Sequence, residues 1–288
     1  MPTSKPRAEF VLYNIDEKLT LNALLFMPEQ PTKSAVVYVP GMTGGFVGPN
    51  DYNPMAARLN EIGYALMVPN MRTAGLHGML YANFADYVND IAAAMAVVKS
   101  RGHDRIALFG TSLGGPRIIN YWRKKHDPVV KALGFVASIM SPYLEAQIRF
   151  DAKKKADFDA HLAKCRALVK AGRGSEILTY PEWFPGRDMV LAAHVFIDVF
   201  GTLEECDAST IKFGAEVTVP AVVVHGTKDD LALPPNAEAI FKSLTNAPSR
   251  DLVWVEGGGH FLTPGPVAES YAKAIAGWVE KKLPAVPR

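Results

Sequence analysis

Cysteine is scarce in this chain of 288 residues: there are two, Cys165 and Cys206. Two thiols cannot build a multi-bridge framework, and neither sits in a CxxC or Cys/His cluster at metal-ligand spacing, so no disulfide scaffold and no metal site is implied. The chain also lacks an excess of charge of either sign. Lys plus Arg number 31 against 29 Asp plus Glu, a formal net charge of +2, far from the basic excess that a phosphate backbone demands, which argues against nucleic acid as a partner. No apolar run approaches the roughly 20 residues of a membrane span. Residues Met1 to Asp16 alternate polar and apolar side chains and contain no signal-peptide core. These absences give the expectation of a cytoplasmic protein with no membrane span. What is present is apolar material, 49% of the chain against 21% charged residues, enough for a large core and too much for a disordered polypeptide.

The apolar residues fall into a recurrent pattern. From Glu9 to Met27, two extended segments carrying Phe10 and Leu12, then Leu19, Leu21, Ala23 and Leu25, predict an N-terminal β-hairpin. Six short Val/Ile/Leu-rich runs follow: Ser34–Val39, Tyr64–Val68, Arg105–Phe109, Leu133–Ile139, Val219–Val224 and Asp251–Val255. Unbroken runs of this kind suit strands buried on both faces. Helical spacings lie between and after them, such as Val88, Ile91, Met95, Val98 and Val267, Tyr271, Ile275, Trp278. The alternation predicts an α/β fold, a mainly parallel twisted sheet with helices on both faces, whose chemistry belongs in the loops at the carboxyl ends of the strands. One interval is too long for an ordinary connection: Ser141 to Val217, between the sixth and seventh strands. It is expected to be an inserted helical cap (residues 141–217) on a core made of residues 1–140 and 218–288. No internal repeat or low-complexity segment is visible.

Chemistry concentrates after three of the strands. Arg105–Phe109 runs into Gly110-Thr111-Ser112-Leu113-Gly114-Gly115 and then a helical stretch. A serine on a sharp strand-to-helix turn needs small residues two before and two after it, and Gly110 and Gly114 supply them. The turn also sets Ser112 at a helix N-terminus, where free N–H groups favour developing negative charge. A serine hydroxyl needs a base, and the base needs an orienting group. Of seven histidines, only His260 lies in a glycine-rich loop directly after a late strand, Gly257-Gly258-Gly259-His260, and it is the candidate general base. The strand ending in His225-Gly226 leads to Asp229 and Asp230. Asp229 is the preferred acid, with Asp230 and, more remotely, Glu145 as alternatives, while His225 is read as structural. The oxyanion of acyl transfer needs two donors: the backbone N–H of Leu113 from the elbow, and that of Met42 from the loop Pro40-Gly41-Met42-Thr43-Gly44-Gly45 after Val39.

Together these motifs resemble the α/β-hydrolase superfamily over the whole chain. The Gly110–Gly114 segment matches the nucleophile elbow of that family, Pro40–Gly45 is similar to its oxyanion loop with Pro40 where many members have His, and Ser112, Asp229 and His260 follow in the family's order. The resemblance implies a serine hydrolase acting through an acyl-enzyme without metal or organic cofactor, carboxylic esters being its broadest substrate class. Thioesters, lactones, amides and activated C–C bonds are alternatives on the same nucleophile, and a ligand-binding sensor is an alternative from another class. The implied partner is a small-molecule substrate, and the chain is compatible with a homodimer. Tyr180, Trp183, Phe184, Phe196 and Phe200 of the cap, with Met42 and Phe261, are expected to favour an apolar or aromatic substrate. The same residues could instead pack the cap onto the core.

Overall fold

The computed structural model describes residues 6–184 and 186–288. Met1–Lys5, and Pro185 at the end of the aromatic Tyr180–Pro185 segment, lie outside the described residues. In chain order the strands are β1 (Ala8–Asn14), β2 (Thr20–Phe26), β3 (Ser34–Val39), β4 (Ala65–Pro69), β5 (Arg105–Thr111), β6 (Val130–Val136), β7 (Ile177–Phe184), β8 (Arg187–Ala192), β9 (Ala221–Gly226) and β10 (Arg250–Val255). The helices are α1 (Asn53–Glu61), α2 (Leu76–Tyr81), α3 (Tyr87–Ser100), α4 (Gly114–Lys125), α5 (Pro142–Arg149), α6 (Ala152–Lys170), α7 (Ala193–Phe200), α8 (Pro235–Ser243) and α9 (Pro266–Lys282).

Eight strands form one sheet in the order β1-β2-β4-β3-β5-β6-β9-β10. The β1–β2 hairpin joins antiparallel through β2 to β4, and every pair from β4 to β10 is parallel. Within β3 and β5 alternate side chains serve opposite faces. Ala35, Val37, Ile106 and Leu108 pack into a core with α3, α4 and α8, whereas Val36, Tyr38, Ala107 and Phe109 pack into a second core with α1 and α9. Burial on both faces is why these strands read as continuous apolar runs rather than as alternating ones. The edge hairpin differs, since Val11 and Tyr13 of β1 face the core and Phe10 and Leu12 are exposed, so the apolar pair that suggested the strand is its outer face. The sixth strand also ends earlier than the apolar run that predicted it, at Val136, because Ala137 turns to a φ of 42° and starts the loop that leads away from the sheet.

Residues 141–217 lie between β6 and β9, and this excursion is not purely helical. It holds α5, α6 and α7, and between them a two-stranded antiparallel sheet, β7–β8. Val190 is an exposed residue of β8. Most aromatic residues of this segment face one another. Phe158, Tyr180, Trp183, Phe196 and Phe200 are each at most 3% exposed, with Phe158 about 6 Å from the rings of Tyr180, Trp183 and Phe196. Burial of an aromatic side chain contributes on the order of 1.5–3 kcal/mol, so this cluster adds substantially to the stability of the excursion. Cys165, buried in the same core, and Cys206 are both free thiols. Among the described residues no helix is long and apolar enough to cross a membrane.

Burial also makes the fold sensitive to acid. His103, just ahead of β5, is 1% exposed, and desolvation, reinforced by the Arg288 charge, pushes its pKa down to about 4. Burial lowers His161 and His225 as well. An unfolded histidine titrates near 6.5. Above that value both states leave His103 neutral, whereas between about 6.5 and 4 the unfolded chain takes up a proton that the folded chain refuses, so stability falls as pH drops through that window. Thermal melts should show the wild type losing more Tm between pH 7 and pH 5 than His103→Gln does. Equal losses would show that His103 carries none of the effect.

Candidate active site

The site forms where the loops after β3, β5, β9 and β10 converge at the carboxyl end of the sheet. Ser112 follows β5 with a φ of 54°, left-handed backbone that a β-substituted residue adopts only under constraint. The constraint is close packing of main chain. A Cβ on Gly110 would lie 2.3 Å from the carbonyl oxygen of Gly114, and one on Gly114 would lie 2.4 Å from that of Val39, so neither position tolerates a side chain. Gly41 approaches from β3, and a Cβ there would meet Ser112 Cβ at 2.9 Å. The strand β6 helps hold the turn, since Ser112 N–H donates to Val136 O and Ser138 Oγ to Ser112 O, at 3.1 and 3.2 Å. Helix α4 begins two residues after Ser112.

The structure brings Ser112, His260 and Asp229 together. Ser112 Oγ is 3.1 Å from His260 Nε2, and His260 Nδ1 is 3.0 and 3.1 Å from the two carboxylate oxygens of Asp229. An ionised carboxylate only accepts, so Nδ1 carries the imidazole proton and Nε2 turns its lone pair to the serine hydroxyl. His260 is 7% exposed and Asp229 3%, which shields this line from competing water. Asp229 is fixed by its own loop: Oδ1 accepts from the N–H groups of Leu231 and Ala232 at 3.0 and 2.8 Å. His225 closes that loop, its Nε2–H donating to Ala232 O at 2.7 Å. Its depressed pKa, caused by burial, keeps it neutral beside Asp229. Asp230 takes a different direction and lines the main cavity. Glu145 belongs to a separate buried network, in which Asn236 donates to its carboxylate, and burial raises its pKa.

The two carboxyl-side loops are tied to each other. Gly226 lies so close to Gly258 that a Cβ on it would be 2.2 Å from the Gly258 carbonyl oxygen. Lys228 N–H donates to that same oxygen, Gly257 N–H donates to Thr227 Oγ1, and Tyr271 Oη donates to Gly259 O. Gly258 therefore serves a close backbone crossing, whereas a Cβ at Gly257 or Gly259 would meet nothing within 4 Å. On the far side, Leu262 N–H donates to Asn50 Oδ1 and Asp51 N–H to Leu262 O, linking the histidine loop to the segment that follows the β3 loop. Among the described residues, neither the Met42 N–H nor the Leu113 N–H donates to a protein acceptor, so both remain available to a ligand.

Above Ser112 lies a cavity of about 420 Å³, within the range of small-molecule sites. Its walls include Met42, Phe46, Val47, Phe184, Leu231 and Phe261, with Arg187 and Asp230 as charged members. Of the five aromatic residues of the excursion expected here, only Phe184 reaches this cavity. Trp183 reaches a second recess of about 20 Å³ that also touches Ser112. The remaining three are consumed by the internal cluster, and the apolar lining comes instead from the β3 loop, where Phe46 and Val47 gave no signal beyond being apolar in a loop.

No curated protein matches the chain. Solved structures do match its fold. The esterase domain of a Rhodothermus marinus protein is 15% identical with a TM-score of 0.66, covering 96% of this chain and 98% of that one. Est1E from Butyrivibrio proteoclasticus with bound ferulic acid is 19% identical with a TM-score of 0.69, covering 95% and 99%. The monoacylglycerol lipase of Paleococcus ferrophilus is 17% identical with a TM-score of 0.66, covering 92% and 100%. The family model described as serine aminopeptidase, S33, matches residues 30–264, a span running from β3 through the elbow to the histidine loop. This chain is thus an α/β-hydrolase and belongs to the serine aminopeptidase S33 family.

Proposed function

We propose that the protein is a serine esterase that cleaves a carboxylic ester of a small, apolar substrate, with Ser112 as nucleophile, His260 as general base and acid, and Asp229 as the group that orients His260. The observation that carries this reading is the hydrogen-bonded line from Ser112 through His260 to Asp229, at 3.1 and 3.0 Å, at the foot of a mainly apolar cavity. In the proposed reaction His260 Nε2 takes the hydroxyl proton as Ser112 Oγ attacks the ester carbonyl carbon. The carbonyl oxygen becomes an oxyanion held by the N–H groups of Met42 and Leu113. Collapse of the tetrahedral species breaks the bond to the alkoxy oxygen, which leaves as the alcohol with the proton that His260 returns. Water, deprotonated by the same histidine, then releases the acid and restores Ser112. Asp229 stays ionised throughout and stabilises the imidazolium. Residues 141–217 act in this reading as a cap, contributing Phe184 and Arg187 to the cavity wall.

Two tests follow. Hydrolysis of p-nitrophenyl esters should rise in kcat/KM from acetate towards hexanoate, because each buried methylene contributes about 0.8 kcal/mol, roughly fourfold in rate; a flat profile would contradict an apolar site. With the best ester, Ser112→Ala should lower kcat by about 10⁶-fold. Asp229→Asn should lower kcat by about 10⁴-fold, whereas Asp230→Asn should stay within about threefold of wild type. A larger loss at Asp230 than at Asp229 would reverse the assignment of the acid.

A further inference from the structure

Among the described residues, Arg117 is the largest side chain with no exposed surface. It stands on the first turn of α4, five residues after Ser112, and its guanidinium lies beneath the β3 loop. Nη1 donates to Pro40 O and Gly41 O at 3.0 and 2.5 Å. Nη2 donates to Met42 O at 3.4 Å and to Thr73 Oγ1 at 3.3 Å. Three successive carbonyls of the loop are thus turned towards one cation. The guanidinium rests 4.1 Å over the Tyr87 ring. The carboxylate with which it interacts over a longer range, Asp90, is already engaged by the backbone N–H and guanidinium of Arg72.

This arrangement has a geometric consequence. In a trans peptide the C=O and N–H point in opposite directions, and no peptide bond among the described residues is cis. The Gly41 carbonyl and the Met42 N–H belong to one peptide unit. Turning that carbonyl onto Arg117 turns the Met42 N–H away from it, on the loop whose Gly41 presses against Ser112. A hydrogen bond to a cation also polarises the peptide and makes its N–H a stronger donor. Burying a charge that lacks a contacting carboxylate is costly for folding, yet positive potential behind the place where an oxyanion forms favours the transition state selectively.

We infer that Arg117 is a positioning residue: by binding the carbonyls of Pro40, Gly41 and Met42 it aims and polarises the Met42 N–H towards the reacting oxygen. The inference rests on Ser112 being the nucleophile of an acyl transfer. Its test uses the full chain carrying Arg117→Lys, which keeps the charge but not the fork of donors, and Arg117→Met, which removes both. A third variant, Tyr87→Leu, withdraws the ring beneath the guanidinium. Expected for Arg117→Lys is a fall in kcat on the order of 10- to 100-fold, short of the 10²–10³ lost with a whole oxyanion donor, with KM within about threefold and Tm little changed. Affinity for a trifluoromethyl ketone, which forms a tetrahedral adduct on the serine, should fall by the same factor as kcat/KM. If Arg117→Met does not fold, Arg117→Lys and Tyr87→Leu decide, Tyr87→Leu with the same pattern at smaller size.

A merely structural role would lower Tm without weakening the ketone more than the substrate, and that outcome overturns the inference. So does a kcat for Arg117→Lys within twofold of wild type, or a loss confined to KM. Ser112→Ala run in parallel separates the two levels. Wild-type turnover that survives Ser112→Ala, or no turnover at all, removes the esterase reading and this inference with it. Turnover that depends on Ser112 but is indifferent to Arg117 removes the inference alone.

Discussion

At Ser112 the backbone occupies left-handed space with a φ of 54°, a conformation that costs an L-residue roughly 1–2 kcal/mol, and the chain can hold it there because three neighbouring positions lack side chains. Gly110 and Gly114 let the strand β5 fold straight into helix α4, and Gly114 lets that helix start against the carbonyls that end β3. A Cβ at either position would overlap main-chain oxygen, which cannot move without displacing the start of α4 or the end of β3. This steric lock, more than any single hydrogen bond, sets the rest of the site. It lifts Ser112 out of the sheet, brings the β3 loop within contact of it, and starts the helix that carries Arg117.

The remaining parts are arranged around that fixed point by ties between loops. Asp229 is held by amides of its own turn and His225, and the histidine loop is held to the Asp229 loop by the Gly226–Gly258 crossing, Thr227 and Tyr271. His260 is therefore positioned from both sides before it meets Ser112. The pattern is one in which polar groups near Ser112 are satisfied by protein at the back and left free at the front: among the described residues Met42 and Leu113 keep unused N–H groups, Met42 at the wall of the mainly apolar cavity and both at the small recess beside it. Such a preorganised arrangement suits a reaction whose charge appears only in the transition state.

Much of this was legible in the sequence because its causes are local. Glycines at fixed offsets from Ser112 mark a backbone crossing that leaves little choice of residue, and a histidine after a glycine run at the end of a strand marks the loop that carries the base. Doubly buried strands such as β3, β5 and β9 declare themselves by composition. What was not legible depends on contacts between distant segments. Asp229 and Asp230 are chemically identical neighbours, and only the turn that captures one carboxylate distinguishes them. The β7–β8 hairpin was obscured by its register shift between Tyr180 and Phe184, which spaces the buried Tyr180 and Trp183 three apart, as a helix would. The aromatic residues of residues 141–217 could not be divided by sequence between a core and a cavity wall. Arg117 gave no signal, since a charged residue on a helix ordinarily faces solvent, and nothing in its own segment reveals that the β3 loop lies above it.

In the proposed reading the conformation imposed at Ser112 makes it the activated nucleophile of the chain. Treatment of the folded protein with a fluorophosphonate, followed by proteolysis and mass mapping of the adduct, tests this directly. Stoichiometric phosphonylation of Ser112 is expected, with Asp229→Asn slowing the labelling and prior heat denaturation abolishing it. Modification at any other residue, or a folded enzyme that resists the reagent, would contradict it.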